Sequence, residues 1–180
     1  MDRRNDLASG KPTLQILRYA RTGDEFRMTY RIRPATIADI PQIVAHREGM
    51  FRDMGTPTAF AAMATAFDAW LATAMPAGDY RGWVAVGSGD EVVAGAGVVI
   101  FLWPPGPLTM DGRCACVFNV YTQPAHRRQG LAKRMMESIH AWSRAQGIER
   151  MVLNASRDGH PIYKAMGYAE VDHPMMRLSL

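Results

Sequence analysis

Hydrophobic and polar positions follow two spacings along this chain. Apolar residues recur every three or four positions in four segments, which predicts helices, and they alternate or run together in short segments bounded by turn residues, which predicts strands. Helices are predicted between Thr36 and Gly55, over 58–75, from 131 to 146 and over 158–166. Strands are predicted at 30–33, 83–86, 92–101, 114–122 and 151–154, with a terminal hairpin of 168–171 and 175–180.

This order of elements predicts an α/β fold with a single mixed, mostly antiparallel central sheet flanked by helices. Local signals support the boundaries. Thr36 and Asp39 resemble a capping box, Gly147 suits a helix C-cap, and Pro76 with Gly78 is expected to close the second helix. The Pro-rich stretch 102–112 cannot lie inside a sheet and is predicted to be a loop.

The first 27 residues differ from the rest. They show little apolar periodicity and hold six basic and four acidic residues, a net charge of +2 that is half of the formal +4 of the chain. We therefore predict an N-terminal extension over 1–27, loosely attached, and one domain over 28–180. Deletion of 1–27 is expected to leave folding and activity intact.

The overall composition narrows the class of protein. A chain of 180 residues with 48% hydrophobic positions can bury one core, which excludes wholesale disorder. No stretch approaches the roughly 18 apolar residues of a membrane helix, and the N-terminus lacks a signal-peptide pattern. The only cysteines, Cys114 and Cys116, are too few for a zinc site and too close for an easy disulfide. These features predict a cytoplasmic protein without a metal.

One segment carries recognisable chemistry. The predicted strand 114–122 ends at Pro124, and Arg127 and Arg128 precede Gln129-Gly130 at the start of a helix. Free N–H groups and partial positive charge at a helix start favour an anion, and glycine allows close approach to the backbone. The pattern fits a pyrophosphate site, although a basic surface turn would look similar. Walker and Rossmann glycine patterns are absent from the sequence.

The run Arg127–Ala132 resembles the [RQ]-x-x-G-x-[GA] signature of the GNAT superfamily of acyl-CoA-dependent N-acetyltransferases. The resemblance covers about residues 30–180. It includes the strand end Val120–Pro124 before the signature, and Tyr163 four residues before the Gly167-Tyr168 pair. It implies a GNAT-type fold and acetyl-CoA as co-substrate.

The resemblance also implies a set of cofactor-binding residues. The strand that precedes the signature usually bulges and separates from its neighbour, so that the pantetheine arm lies beside Val120, Tyr121 and Thr122. Ser156 stands where many members have an asparagine that contacts the cofactor. The pyrophosphate is expected on the backbone amides at the helix start, with Arg127 nearby: Arg128, Gln129, Gly130, Leu131, Ala132 and Lys133.

Tyr163 is the candidate catalytic residue that the resemblance implies. Its phenol could donate a proton to the departing CoA thiolate, whereas by position alone it would be a core aromatic. The general base is not evident, with Glu48, Asp53, Asp111 and His126 as open alternatives. Lone histidines are interpreted as structural residues: His46, His140 and His160. Residues expected to line the acceptor site are Met50, Phe51, Trp103 and Met176.

Three functions follow from these interpretations. The first is acetyl transfer from acetyl-CoA to a primary amine of a small molecule or peptide, by direct attack in a ternary complex. The second is a catalytically silent acyl-CoA-binding or regulatory domain. The third, a nucleic-acid binder using His126–Arg128 with Lys133 and Arg134, is disfavoured because residues 28–180 carry a net charge of only +2. A membrane partner is not expected, and a sheet edge would permit a homodimer.

Overall fold

The protein is described by a computed structural model for residues 29–57, 59–107, 110–172, 176 and 178. The described residues form one open five-stranded sheet in the order β1-β2-β3-β4-β5. The first four strands are antiparallel, and β5 runs parallel to β4. The strands are β1 (Arg31–Pro34), β2 (Tyr80–Val86), β3 (Val92–Leu102), β4 (Arg113–Thr122) and β5 (Arg150–Leu153). The predicted mixed, mostly antiparallel sheet is confirmed.

Four α-helices flank this sheet. Three of them begin within two residues of their predicted starts, and the first begins at Ile40, four residues after Thr36. They are α1 (Ile40–Asp53), α2 (Phe60–Ala77), α3 (Leu131–Ala145) and α4 (His160–Ala165). The capping box is present on a short 3₁₀ helix, Ile37–Asp39, that leads into α1. The Thr36 N–H and hydroxyl both donate to the Asp39 carboxylate, at 2.7 and 3.0 Å. Arg33 binds the same carboxylate through two nitrogens, at 2.7 and 2.8 Å.

Three predictions from the sequence are wrong. Strand β2 begins at Tyr80, three residues before the predicted 83, because 80–82 also pair with β3. Helix α2 continues through Pro76 to Ala77 and ends at Gly78, because a proline in the last turn costs only one exposed backbone hydrogen bond. The first half of the terminal hairpin, 168–171, is not a strand. Its leading residue, Tyr168, is fixed instead by its hydroxyl, which lies 2.9 Å from His140 Nε2 and 3.1 Å from Met151 Sδ. Most of 173–180 and the predicted extension 1–27 lie outside the described residues.

The helices cover opposite faces of the sheet. One core cluster joins α3 to the face that carries Trp83 and Ala85, and a second joins α1 and α2 to the face that carries Tyr80. Side chains alternate between the two faces of a strand, so β2 supplies both clusters. The middle strands are consequently buried on both faces, and a ligand can reach strand backbone only where a strand lacks a neighbour.

Strand β4 has an irregularity at its middle. Gly95 pairs with Tyr121 and Gly97 pairs with Phe118, so two steps along β3 match three steps along β4. Asn119 lies in this bulge with a positive φ of 56°. The parallel strand β5 pairs only with Cys114–Val117. Strand β5 ends at Leu153, opposite Val117, which leaves the β5 side of 118–122 unpaired within the described sheet.

Candidate functional site

A tight turn joins the bulged strand β4 to helix α3. It consists of a 3₁₀ turn over Pro124–His126, then Arg128 with φ 60° and Gly130 with φ 72°, which is the N-cap of α3. A Cβ at Gly130 would meet no atom within 4 Å, so the space beside it is open. Within the described part of the chain, no acceptor takes up the backbone N–H groups of 128–133. The turn therefore presents a row of free donors at a helix N-terminus, where an anion is stabilised.

The basic side chains of this turn have separate roles. The Arg127 guanidinium forms an ion pair with Asp53 at the end of α1, and its Nε donates to the Thr122 carbonyl oxygen at 3.0 Å. Arg127 thus ties the strand end and the turn to α1. Lys133 lies 3.8 Å from Glu137 on the exposed surface of α3. Two other cations were predicted to bind the cofactor, Arg128 and Lys133, and they lie beside the free N–H donors of the turn.

Val120, Tyr121 and Thr122 lie where β4 has left β5. The Tyr121 side chain points toward α1, because a Cβ on Gly49 of α1 would lie 2.6 Å from the Tyr121 hydroxyl. Its ring centroid is 5.4 Å from that of His46. Glycine at position 49 therefore allows α1 to pack closely against β4.

Tyr163 lies on the short helix α4 and is buried, with 9% of its surface exposed. Its ring packs edge to face against Tyr168, with 5.9 Å between centroids. Burial raises the pKa of the Tyr163 phenol above its usual value of 10.0. The hydroxyl stays protonated at neutral pH, which is the state that a proton donor needs.

Ser156 lies in the turn that enters α4. Its hydroxyl oxygen accepts a hydrogen bond from the Gly159 N–H at 3.1 Å. A Cβ on Gly159 would lie 2.8 Å from the Tyr163 ring, so Ser156, Gly159 and Tyr163 are packed together. The serine therefore shapes the turn that places Tyr163, and its hydroxyl hydrogen is left to donate elsewhere.

A buried polar cluster on the α1 side of the sheet was missed by the sequence interpretation. It consists of His46, Arg47, Tyr80 and Asn119. Arg47 Nη1 donates to Asn119 Oδ1 at 2.5 Å, and Gln123 Nε2 lies 3.4 Å from His46 Nε2. Burial lowers the pKa of His46 to about 4, so this histidine is neutral near pH 7.

Three polar atoms in this cluster are buried without a hydrogen-bond partner among the described residues: His46 Nδ1, Arg47 Nε and Asn119 Nδ2. Such atoms carry a desolvation cost, and they concentrate at functional sites or beside ordered water. The cluster borders a small cavity between α1 and the sheet, lined in part by His46, Gly95 and Asn119. A signal for it was present in the sequence, because β3 carries two glycines, Gly95 and Gly97, that leave room for large neighbours.

The four open alternatives for the general base are placed apart. Asp53 is paired with Arg127, Asp111 with Arg113 at 2.6 Å, and His126 Nδ1 lies 3.0 Å from the Tyr30 hydroxyl. Glu48 is half-buried on α1. None of these contacts selects a base.

The residues expected to line an acceptor site are only partly brought together. Phe51 lies on α1 against Arg47, with 5.0 Å from the ring centroid to the guanidinium carbon. Trp103 lies instead at the opposite end of β4, under Arg150 at 5.4 Å. The reason is the hairpin geometry, since Leu102 pairs with Arg113, the first residue of β4, far from the bulge. Met176 is 93% exposed.

Cys114 and Cys116 are buried thiols on β4, as predicted. Burial raises the pKa of both thiols, to about 11 for Cys116. A thiol with so high a pKa is a poor nucleophile at neutral pH.

Over 29–57, 59–107 and 110–172, no three side chains of His, Cys, Asp or Glu cluster closely enough to hold a metal ion. Among the helices described here, none has the length and hydropathy needed to cross a membrane.

Comparison with known proteins bears on this geometry. Residues 45–168 match the model of the acetyltransferase (GNAT) family. A GCN5-related N-acetyltransferase from Ralstonia eutropha is 32% identical, and the alignment covers 83% of this chain and 99% of that one with a TM-score of 0.77. No curated protein matches the chain.

Two clostridial structures share the fold at lower identity. An acetyltransferase from Clostridium acetobutylicum, solved with acetyl-CoA, has a TM-score of 0.78 at 23% identity, with 83% of this chain and 96% of that chain covered. A protein from Clostridium difficile 630, described as a possible acetyltransferase, has a TM-score of 0.69 at 18% identity, with 84% of this chain and 97% of that chain covered.

Proposed function

Because the chain belongs to the GNAT family of acetyltransferases, we propose that it transfers an acetyl group from acetyl-CoA to a primary amine by direct attack in a ternary complex. The acceptor is a small molecule or a peptide. The family assignment makes acetyl-CoA-dependent acetyl transfer the expected chemistry of the chain.

The observation that carries this proposal is the continuity between the bulge and the turn. From Phe118 to Thr122 the β5 side of β4 is unpaired, and the chain then leads into the free N–H groups of 128–133. An extended amide arm can add to the unpaired backbone as a strand would. A pyrophosphate fits the helix start, where Gly130 leaves open space.

The predicted cofactor-binding residues are assigned to two parts of the cofactor. Val120, Tyr121 and Thr122 are proposed to hold the pantetheine arm, and the backbone of Arg128–Lys133 the pyrophosphate. Arg127 is proposed to position the turn rather than to bind phosphate, because its guanidinium is engaged by Asp53 and Thr122. Ser156 is proposed to reach the cofactor only through its hydroxyl hydrogen, since its oxygen accepts from Gly159.

In the proposed reaction the neutral amine nitrogen bonds to the acetyl carbon, and the carbon–sulfur bond breaks. The Tyr163 hydroxyl donates its proton to the departing thiolate and is reprotonated from water, while the nitrogen loses its surplus proton to solvent. Direct attack is supported over an acyl-cysteine route, because Cys114 and Cys116 are buried with raised pKa values. Two free thiols also support a proposed location in the reducing cytoplasm.

The proposal is tested by the thermal stability of the full-length protein with acetyl-CoA, CoA, ATP or duplex DNA. A ligand at a hundredfold excess over its Kd stabilises the folded state by about 2.7 kcal/mol. We expect a rise of several degrees in Tm with acetyl-CoA and CoA, and none with ATP or DNA. An amine panel read out by CoA thiol release follows.

Each other outcome contradicts a specific part of the proposal. No shift with either CoA form would overturn the cofactor site. A shift without thiol release on any amine would favour a silent acyl-CoA-binding domain. Stabilisation by DNA with a steep salt dependence would indicate a nucleic-acid ligand.

A further inference from the structure

Arg47 is a cation on α1 whose charge no residue neutralises in the part of the chain described here. The side chain is half-buried, and its Nε is buried without an acceptor. A guanidinium has five N–H donors, and only one described hydrogen bond uses them, to Asn119 Oδ1. Withdrawing such a cation from water without a carboxylate is costly. The charge and the unused donors of Arg47 are therefore available to an anionic ligand.

The aromatic residues around Arg47 orient its donors. The guanidinium carbon lies 5.0 Å from the Phe51 ring centroid on α1 and 4.5 Å from the Phe67 ring centroid on α2. Ring faces contact the plane of a guanidinium, and the N–H groups lie in that plane and point outward from its edge. One part of this edge meets Asn119. The geometry of the remaining edge matches a carboxylate, which accepts two parallel N–H bonds.

The position of Asn119 shows where Arg47 lies relative to the proposed site of the pantetheine arm. Asn119 is the positive-φ residue of the β4 bulge, next to the residues proposed to hold the pantetheine arm. The phosphate groups of CoA are placed at 128–133, beyond the end of β4, and the thioester end carries no charge. The anion that Arg47 complements thus belongs to the other substrate.

We infer that the acceptor is a small amine with a carboxylate within a few bonds of its nitrogen, and that Arg47 binds this carboxylate. The inference rests on the proposed acetyl transfer and names its substrate class. Phe51 and Phe67 border the same cation, so the acceptor would bring an apolar portion against these rings.

The test compares matched amines. L-Methionine, L-phenylalanine and β-alanine are each assayed against their own carboxamides by CoA thiol release. We expect kcat/KM for each acid that is a substrate to exceed that of its amide by about 10- to 100-fold, the range for a hydrogen-bonded charge pair. The amide has the more readily deprotonated amine, so its intrinsic reactivity opposes this preference.

Arg47→Gln removes the charge, and Arg47→Lys keeps it without the planar fork. In Arg47→Gln we expect the acceptor KM to rise about 10- to 100-fold, the acetyl-CoA KM to stay within about twofold, and the acid-over-amide preference to disappear. Arg47→Lys should restore part of the preference. Arg52→Gln is the matched control, because Arg52 also lies on α1 but its guanidinium carbon is 5.1 Å from the ring centroid of Phe60, and no described hydrogen bond joins it to Asn119.

The outcomes separate the two levels of the proposal. Loss of acetyl-CoA binding in the unmodified protein would overturn the proposed function itself. Intact CoA binding with equal use of acids and amides, or with no acid used at all, would overturn only the carboxylate inference. So would Arg47→Gln with an unchanged preference, provided that its melting temperature shows it folded.

Discussion

The two sides of the β4 bulge are built in different ways. On the cofactor side, residues 118–133 offer unpaired backbone and free N–H groups, and all of them except Asn119 and Leu131 are exposed or half-buried. On the acceptor side, His46, Arg47, Tyr80 and Asn119 form a cluster of side chains with three unpartnered atoms. Under the proposed function, the backbone of a turn would bind the cofactor, which is constant, and side chains from several elements would bind the acceptor, which varies.

The difference has an energetic consequence. Backbone donors at a helix start need no buried charge, so the cofactor side adds little strain to the fold. The acceptor cluster requires burial of a histidine and a guanidinium, and each orphaned donor there costs about 1–3 kcal/mol. Perturbations of the acceptor side should therefore change stability strongly, and perturbations of the cofactor side should change binding with little loss of stability.

The largest expected effect is the response of the acceptor side to acid. Unfolded His46 binds a proton below its ordinary pKa of 6.5, whereas folded His46 stays neutral to about pH 4. The contribution of neutral His46 to the free energy of unfolding is therefore fully present above pH 6.5. It is lost as the pH falls from 6.5 to 4, by up to about 3 kcal/mol at pH 4. Urea unfolding of wild type and His46→Gln between pH 7 and 4 measures the difference. If the free energy of unfolding depends on pH equally in the two proteins, His46 does not cause the loss of stability in acid.

The second effect concerns the close packing that accommodates the cluster. A Cβ on Gly97 would lie 2.1 Å from the hydroxyl of Tyr80, which is 2% exposed and has no room to move. We expect Gly97→Ala to lose about 2–3 kcal/mol, or roughly 4–10 °C in Tm. Gly106→Ala is the matched control, because the nearest atom to its Cβ would be 3.9 Å away. An unchanged Tm in Gly97→Ala would contradict this tight packing.

The same contrast explains what the sequence could predict. The turn at 127–132 is continuous in sequence, because one segment supplies all of its backbone donors, so a short pattern was enough to find it. The contact between Arg47 and Asn119 joins positions 72 apart. Neither α1 nor β4 carries a local sign of it, and His46 was interpreted as an ordinary structural residue for the same reason.

Errors in the sequence interpretation have physical causes too. The sequence pattern of 168–171 predicts a strand. In the structure, Tyr168 instead packs against Tyr163 and contacts His140. Trp103, in the Pro-rich loop, is another residue that the sequence interpretation assigns to the acceptor site. The register of the β3–β4 hairpin, which periodicity does not reveal, places it at the other end of β4.

Tyr163 tests the chemistry that connects the two sides. We expect Tyr163→Phe to lower kcat at least about tenfold, which corresponds to about 1.4 kcal/mol, because phenylalanine fills the same buried space without a proton donor. The Kd for acetyl-CoA should be nearly unchanged. Steady-state kinetics with titration of acetyl-CoA give both quantities. Equal turnover in the variant would exclude Tyr163 as the acid.

On the cofactor side, Gly130→Ala probes the left-handed N-cap of α3. An alanine with φ near 72° costs about 1 kcal/mol, and the added Cβ meets no protein atom within 4 Å. The Cβ would instead occupy the space proposed for phosphate, so we expect weaker CoA binding with only a small loss of Tm. Isothermal titration with CoA, alongside thermal melting, separates the two effects. A large fall in Tm with unchanged affinity would reverse the contrast between the two sides.

The smallest expected effect is that of the ion pair between Asp53 and Arg127. Both side chains are 43% exposed, and exposed pairs contribute about 0–1 kcal/mol that salt screens. Arg127 also keeps its bond to the Thr122 carbonyl without Asp53. Asp53→Asn should therefore lower Tm by no more than a few degrees and leave the Kd for CoA within about twofold. Asp90→Asn, which loses the exposed contact with Arg31, is the control. A tenfold loss of CoA affinity in Asp53→Asn alone would show that the cofactor side depends on a side-chain brace from α1, so that the two sides of the bulge are coupled rather than independent.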